Sequence, residues 1–379
     1  AAHVKGLTNA DSYYAHQKWY DAVVKTIYDY EPDIFMAEGG GSGDALSLLG
    51  PKLLKWPGNE LASNNMHQTI EGEPLKAEEY NMILSDPSDW TLRYYLPRTW
   101  MSMKSLSKLP SLQSLWGATA LPMLAARFAD PDVSKAFEVL AQAGKKQQEI
   151  MGISRQAQED IISLGFPPFS HGRAPAPFDV VSDHLRGMAG TMMDMFRHPD
   201  ELLQLCTMLL AKSIEMGAET LNNPRGNPKR VWSALHRGSD GFMSLKQFET
   251  FYWTDFKKLV LTMIDMGLVH VPFYEGNWEQ RLEYLLDFPK GKTIARFALT
   301  DLKRAKEVLK DHTCIMGGVP HSLLQTASPS EVEEYVKKLI ETVGKGGGFI
   351  LTASTGLTNE AKPENVRAMV DAARKYGRY

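Results

Sequence analysis

Cysteine is nearly absent: Cys206 and Cys314 are the two in 379 residues. Two thiols in so long a chain make no disulfide framework, so a reducing, cytoplasmic setting is expected. Charge of one sign is not in excess either. There are 42 Lys and Arg against 45 Asp and Glu, a formal net charge of −3. That leaves no basic surplus for nucleic acid or an anionic membrane surface, and neither is expected as a partner. No apolar run is long enough to span a bilayer, and no signal peptide is expected. The start, AAHVKGLTNADS, lacks an initiator methionine and reads as a trimmed end or a cloning scar. No strand is followed by G-x-G-x-x-G, the mark of a dinucleotide-binding turn. The stretch EGGGSGDAL (38–46) lacks the spacing and the lysine of a phosphate loop and reads as an ordinary flexible turn.

What the chain does carry is a large core and a steady rhythm. Hydrophobic residues make up 43% and charged residues 23%, the balance of a soluble globular protein. The 18 methionines and 10% aromatics read as adaptable core filling, with a roomy apolar pocket as the sharper alternative. From residue 230 onward, short apolar runs alternate with amphipathic helices. RVWSALH (230–236), LVHVPFYEG (268–276), KTIARF (292–297), TCIMGG (313–318) and FILTAS (349–354) read as strands. Helices are expected over about 244–266 and 277–286, from 300, from 329, and over 363–376. Ser244 with Gln247 has the spacing of a capping box, and Ser328, Pro329 and Glu331 supply an N-cap, a proline at the first helical position and an acid at the third. Val332, Tyr335, Val336, Leu339, Ile340 and Val343 then form one apolar stripe.

The first half is more helical. It reads as a helix over 11–31, a first strand at 33–39, a second strand at 67–75 (HQTIEGEPL), and helices over 76–102 and 132–164. A proline-rich strand or loop then leads into a helix near Asp179. Strands apolar on both faces, alternating with helices, require a parallel sheet covered on both sides. At least five such units in a row favour an α/β fold of the (β/α)8 TIM barrel type over an open sheet. With no linker and no internal repeat, a single domain over 1–379 is expected, residues 1–60 forming a mainly helical extension.

In such a barrel, side chains at the C-terminal ends of strands face the active site. That rule selects His236, Arg237 and Asp240, then Tyr274 and Glu275, then Arg296, then Cys314, Met316 and His321, and finally Ser354 and Thr355. His67, Glu71, Glu73, His171, Arg173 and Asp179 enter from the first half. Each has a plainer reading. Cys314 and His236 suit the core, His270 suits packing within its strand, and Asp179 suits a helix N-cap. His171 and Arg173 suit a surface loop or a lid. Glu275 ends an apolar strand, where a carboxylate needs a reason. It is expected to pair with Arg296 or Arg237, to bind a metal, or to act as a metal-free general acid.

FPKGKTIARF (288–297), CIMGGVPHSLL (314–324) and GKGGGFILTASTG (344–356), in that order, resemble the C-terminal half of the uroporphyrinogen decarboxylase superfamily. LKWPGNEL (54–61), IEGEPLKAEEYNMILSDPSDW (70–90) and APAPFDVVSDHLRGMAGTMMDMFRHPDELL (174–203) are similar to members of it from anaerobes. The resemblance runs from about residue 54 to the C terminus. It implies one of two chemistries: cofactor-free decarboxylation of a porphyrinogen, or methyl exchange with a corrinoid carrier. The chain lacks the arginine-rich N-terminal segment with which the porphyrinogen enzymes hold their substrate. In the methyltransferase branch, zinc is often held by an H-x-C pair on one strand and a cysteine on the last. Here the H-x-C place reads Phe273-Tyr274-Glu275, and the last cysteine's place is Ser354 or Thr355.

The resemblance therefore implies an altered zinc site of Glu275, Cys314 and His236, polarising the oxygen of a methyl ether. The expected activity is methyl transfer, of the O-demethylase type, between a small O- or N-methylated compound and a corrinoid. The aromatic and methionine content favours an apolar donor, with aromatic compounds among the candidates. No D-x-H-x-x-G cobalamin motif is present, so the corrinoid (methylcobalamin in its methylated form) would ride on a separate protein. Glu275, His236, Tyr274 and Arg296 are expected to be catalytic, and His321, Met316, Asp240 and Arg237 to bind substrate. The alternatives are a decarboxylase for a non-porphyrin acid held by Arg173, Arg237 and Arg296, and a barrel that only binds. A homodimer is left open.

Overall fold

Residues 6–36 and 41–378 are described by the computed structural model. The end of the expected first strand and the start of the glycine-rich turn, residues 37–40, lie outside them. Six strands are hydrogen-bonded in chain order into one sheet: β1 (Gly172–Arg173), β2 (Arg230–Leu235), β3 (Val269–Tyr274), β4 (Ile294–Phe297), β5 (Cys314–Val319) and β6 (Phe349–Ala353). Every pairing is parallel. A parallel bridge between Phe35 and Pro168 adds one more lane beside β1.

The sheet is curved as in a βα barrel, with six of its lanes hydrogen-bonded in order. Phe169, Val271 and Met316 form one buried cluster, with Ile34, Trp232, Ile294 and Ile350 packed against it. The three buried members come from alternate lanes, the layering of a barrel interior. In a flat sheet Phe169 and Met316, four lanes apart, would be separated by about 19 Å at ~4.8 Å per lane. The outer face is covered by aromatic residues. Tyr274 packs on Trp278 and Phe297, with ring centroids 4.8 and 5.2 Å apart. Phe248, Tyr252 and Phe256 arrive from the helical stretch that follows Ser244; Phe248 and Tyr252 pack on each other and on Trp278, and Phe256 packs on Tyr252. Much of the aromatic content is thus spent between sheet and helices. Gly317, at φ +137°, lies so close to β4 that a Cβ there would come within 2.7 Å of the Phe297 carbonyl oxygen.

The capping boxes form as the spacing predicts. Ser328 Oγ accepts from the Glu331 N–H at 3.4 Å, and Glu331 accepts from the Ser328 N–H at 2.8 Å. Ser244 and Gln247 make the same exchange. Other expectations are corrected. The segment 67–75 is no barrel strand: Gln68–Thr69 pairs antiparallel with Leu54–Lys55 and is exposed. Its polar residues have no place in a sheet covered on both sides. The second lane is instead the proline-rich piece ending in β1. The expected helix over 76–102 is broken before Pro87, where Asp86 Oδ1 caps the Asp89 N–H at 2.9 Å. In the glycine-rich stretch Ser42 starts a helix, Gly43–Leu49, by accepting from the Ala45 N–H at 3.0 Å. The turn after β3 continues as a tight three-residue-per-turn helix, Glu279–Asp287.

Two compact units divide the described chain. The barrel unit comprises Tyr30–Met36, Phe166–Val181 and Cys206 to the C terminus. The other comprises the N terminus to Asp29, residues 37–165 and Ser182–Leu205. It is mainly helical, with one 33-residue helix, Pro131–Ser163, capped by Asp130. Within it Arg186 pairs with Asp194 at 2.6 Å, and Tyr80 donates to Asp194 at 2.7 Å. No helix among the described residues is long and apolar enough to cross a membrane.

Candidate active site

Strand alternation decides which residues reach the barrel mouth. In β3, Val271 belongs to the inner layer, so Phe273 and Glu275 follow on its face, while His270, Pro272 and Tyr274 face the helices. In β2 the inner residues are Trp232 and Ala234, followed by His236. Leu235 lies beside Tyr274 in the ladder, so the next residue of each strand lies beside the other's. His236 Nε2 accordingly sits 3.5 Å from Glu275 Oε2, the side chains 39% and 49% exposed. An ion pair so exposed adds about 0–1 kcal/mol to stability, too little to account for a carboxylate at the end of an apolar strand. An imidazole against a carboxylate is, however, an arrangement that serves general acid–base chemistry.

The backbone under this pair is tightly held. The buried carboxylate of Asp179 accepts the His236 N–H on Oδ2 at 3.0 Å and the Arg237 N–H on Oδ1 at 2.9 Å. The loops after β2 and β3 interlock. Gly238 lies beneath Trp278, where a Cβ would come within 2.2 Å of the indole. Trp278 Nε1 donates to the Glu275 carbonyl at 2.8 Å, and the Asp240 N–H donates to the Asn277 carbonyl at 2.8 Å.

Arg296 is the inner residue of β4, level with Phe273 on one side and Met316 on the other. Its guanidinium lies over the Phe273 ring, 4.5 Å from the centroid, and donates to the Thr355 carbonyl at 2.7 Å. His321, at the start of the helix after β5, meets the Thr355 hydroxyl through Nε2. Arg296 and His321 therefore both fasten the loop after β6. Met316 is buried in the inner layer and forms floor rather than rim. The Arg237 side chain lies over Phe242, 5.2 Å from the ring centroid.

Several expected site residues are elsewhere. Tyr274 is buried on the outer face, and burial pushes its phenol well above the usual range. It is packing, because a residue one step from Glu275 in a strand must face the other way. Asp240 is committed to structure: Oδ1 pairs with the buried Arg281 at 3.2 Å and Oδ2 accepts the Gln280 N–H at 3.2 Å. Cys314 opens β5 beside Ile294, the first residue of β4. Ala298 is the residue bonded back to β3 at the level of Glu275, donating to the Tyr274 carbonyl. Four residues of rise, roughly 13 Å at ~3.3 Å each, separate that level from Cys314.

The remaining candidates have local duties. His171 stands at the base of β1, where its Nδ1 accepts the Arg230 N–H at 3.0 Å, so it is no lid residue. Glu71 accepts the Met188 and Ala189 N–H groups at 2.7 and 3.2 Å, at the start of the helix Gly187–Arg197. Asp179 does not cap its own helix; it reaches across to β2. That tie, and Tyr252 which shares it, were not foreseen from sequence. The PFD triplet at 177–179 was visible, but its partners lie more than fifty residues away.

The profile of the uroporphyrinogen decarboxylase family matches residues 169–376, more than half of the chain and all six strands. The chain belongs to this family. Its relatives include the uroporphyrinogen decarboxylase of Methylococcus capsulatus, 30% identical over 116 residues, which are 31% of this chain and 33% of that protein. Another is that of Idiomarina loihiensis, 30% identical over 139 residues, 36% of this chain and 38% of the relative. The matched stretches thus span little more than a third of those relatives. In fold, this family member is similar to a methyltransferase from Methanosarcina mazei, with a TM-score of 0.56 over 94% of this chain and 84% of that one, at 14% identity. That likeness is one of fold.

The zinc site implied by the methyltransferase branch does not fit this family member's donors. His236 and Glu275 are together, but the third donor, Cys314, is at the far end of its strand. Among the described residues no three His, Cys, Asp or Glu side chains are grouped to hold a metal ion.

Proposed function

We propose that the chain is an enzyme that moves a methyl group from a small O- or N-methylated compound, in the O-demethylase sense, to a corrinoid on a separate carrier protein. The observation that carries this reading is the His236–Glu275 pair, an exposed proton donor and its carboxylate above an inner layer of Phe169, Val271 and Met316. The fold likeness to a methyltransferase over nearly the whole chain supports it.

The corrinoid would supply the nucleophile that accepts the methyl group. The chain's own task is the other end of the bond that breaks. As the carbon–oxygen bond opens, negative charge gathers on the departing oxygen. Protonated His236 delivers its proton there, so the product leaves as a neutral alcohol or phenol. Glu275 orients the imidazole and balances its positive charge before transfer. Solvent returns the proton to the exposed pair. Phe273 and Met316 offer an apolar wall and floor to an aromatic donor, with the Arg296 guanidinium fixed beside them.

The test is the formation of methylcobalamin from cob(I)alamin and a panel of O- and N-methylated aromatic and aliphatic compounds, with the purified chain. Formation with at least one aromatic methyl ether, lost without the chain, supports the proposal. Carbon dioxide release from an acid, with no methylcobalamin from any donor, overturns it.

That second outcome would favour decarboxylation. One observation supports this reading: Arg173, exposed beside Trp232 in the ladder, and Arg296 lie on the inner face, where they would hold carboxylates. The same dyad would then protonate the carbon left behind.

A further inference from the structure

We propose that Asp179 is a positioning residue for the dyad: its carboxylate fixes the turn after β2 and so holds the His236 imidazole against Glu275. This rests on the reading that the dyad transfers a proton.

Asp179 is 4% exposed and lies in the short helix Pro177–Val180, which follows β1. A buried carboxylate is costly unless several donors compensate it. Three do. The consecutive N–H groups of His236 and Arg237 go one to each carboxylate oxygen, at 3.0 and 2.9 Å. The Tyr252 hydroxyl donates to Oδ2 at 2.7 Å. Tyr252 is itself wedged among Phe178, Phe248 and Trp278, with ring centroids 5.8, 5.7 and 6.1 Å away. Trp278 in turn donates to the Glu275 carbonyl. One connected unit therefore reaches the backbone of both dyad residues: Asp179 from the His236 side, Trp278 from the Glu275 side, and Tyr252 between them.

The chemistry requires a carboxylate. Two adjacent backbone N–H groups converge on it, and both oxygens accept. An asparagine at this position has one accepting oxygen, and its amide N–H₂ would face a backbone N–H, donor against donor. The loss would be felt as a shift of the turn, and a catalytic group misplaced by about 1 Å can lose up to a hundredfold in rate.

Asp179→Asn and Tyr252→Phe are compared with the wild type in two measurements. The first is hydrogen exchange at the amides of His236 and Arg237. It is expected to quicken in Asp179→Asn and, less, in Tyr252→Phe, with exchange in β5 and β6 unchanged. The second is methyl-transfer kinetics. Here kcat is expected to fall roughly tenfold to a hundredfold in Asp179→Asn, and by less in Tyr252→Phe, with KM within about twofold of the wild type. Tyr252→Phe keeps its ring and preserves the test if Asp179→Asn fails to fold. Unchanged exchange in a folded variant, or kcat that falls only in step with the folded fraction, overturns the proposal. A wild type that transfers no methyl group to any donor defeats the functional reading instead, and exchange at the two amides then decides the role of Asp179 by itself.

Discussion

His236 and Glu275 stand 3.5 Å apart because Leu235 and Tyr274 are neighbours in a parallel ladder and each strand runs one residue further. The ladder brings together an imidazole and a carboxylate separated by 38 intervening residues of chain. Their exposure keeps them in exchange with solvent, while Phe273, one step below Glu275 on the same face, keeps the floor apolar. This combination suits proton delivery to a substrate that is itself mostly apolar.

Tyr274 is the neighbour that the dyad does not use. Tyr274→Phe is expected to leave the reaction rate within about twofold, since the ring stays between Trp278 and Phe297. Tyr274→Ala is expected to cost about 3–5 kcal/mol of stability by opening a cavity in that layer. Urea unfolding of the two variants, beside their rates, checks both statements.

Cys314 is expected to be inert. Its thiol, pushed up to about 11 by burial, holds little thiolate near neutral pH, so iodoacetamide should label the native protein far more slowly than the unfolded one. Cys314→Ala is expected to change neither the reaction rate nor the zinc content found by elemental analysis. A loss of bound zinc in that variant would return the thiol to the site.

His270 gives the fold an acid-sensitive group. It is fully buried, its Nε2 lies 2.7 Å from Ser233 Oγ, and Ser233 donates in turn to the Ala174 carbonyl. Burial lowers its pKa from 6.5 to about 3. Between those values the unfolded chain binds a proton that the native protein refuses. The stability contributed is therefore full above about pH 6.5 and is lost as pH falls toward 3, by up to about 1.4 kcal/mol per pH unit. In His270→Gln, whose amide can still meet Ser233, that slope should flatten. Urea midpoints near pH 7 and near pH 4 measure it.

Asp240 supports Arg281 rather than substrate. The guanidinium is almost fully buried, bonded to Asp240 at 3.2 Å and to the Met243 carbonyl at 2.7 Å, over the ring of Phe248. Asp240→Ala strands this charge and is expected to cost about 3–5 kcal/mol, visible as a lowered melting temperature.

Much of this was legible in the chain. The barrel followed from the alternation of apolar runs with helices, and Ser328 with Glu331 marked a helix start through purely local chemistry. His236 and Glu275 are selected because strand ends point to the mouth, and the ladder does set them 3.5 Å apart. Tyr274 was misjudged because it is next in sequence to Glu275, while strand parity turns it away. Cys314 was misjudged because the strand's start and its end were treated as one place. The second lane is assigned to HQTIEGEPL because that stretch resembles a strand, while prolines leave the true lane readable only as a strand or loop. Asp179 stayed hidden because its partners are set by tertiary folding, which short-range spacing does not encode.

The most direct measurement is the rate of methylcobalamin formation from an aromatic methyl ether by the wild type, His236→Gln, Glu275→Gln and the double variant. If the two residues deliver one proton as a unit, each single change lowers kcat by about a hundredfold or more, and the double change costs little beyond the larger single loss. A single variant that keeps the wild-type rate, or a double variant whose losses simply multiply, would contradict a shared role for the pair.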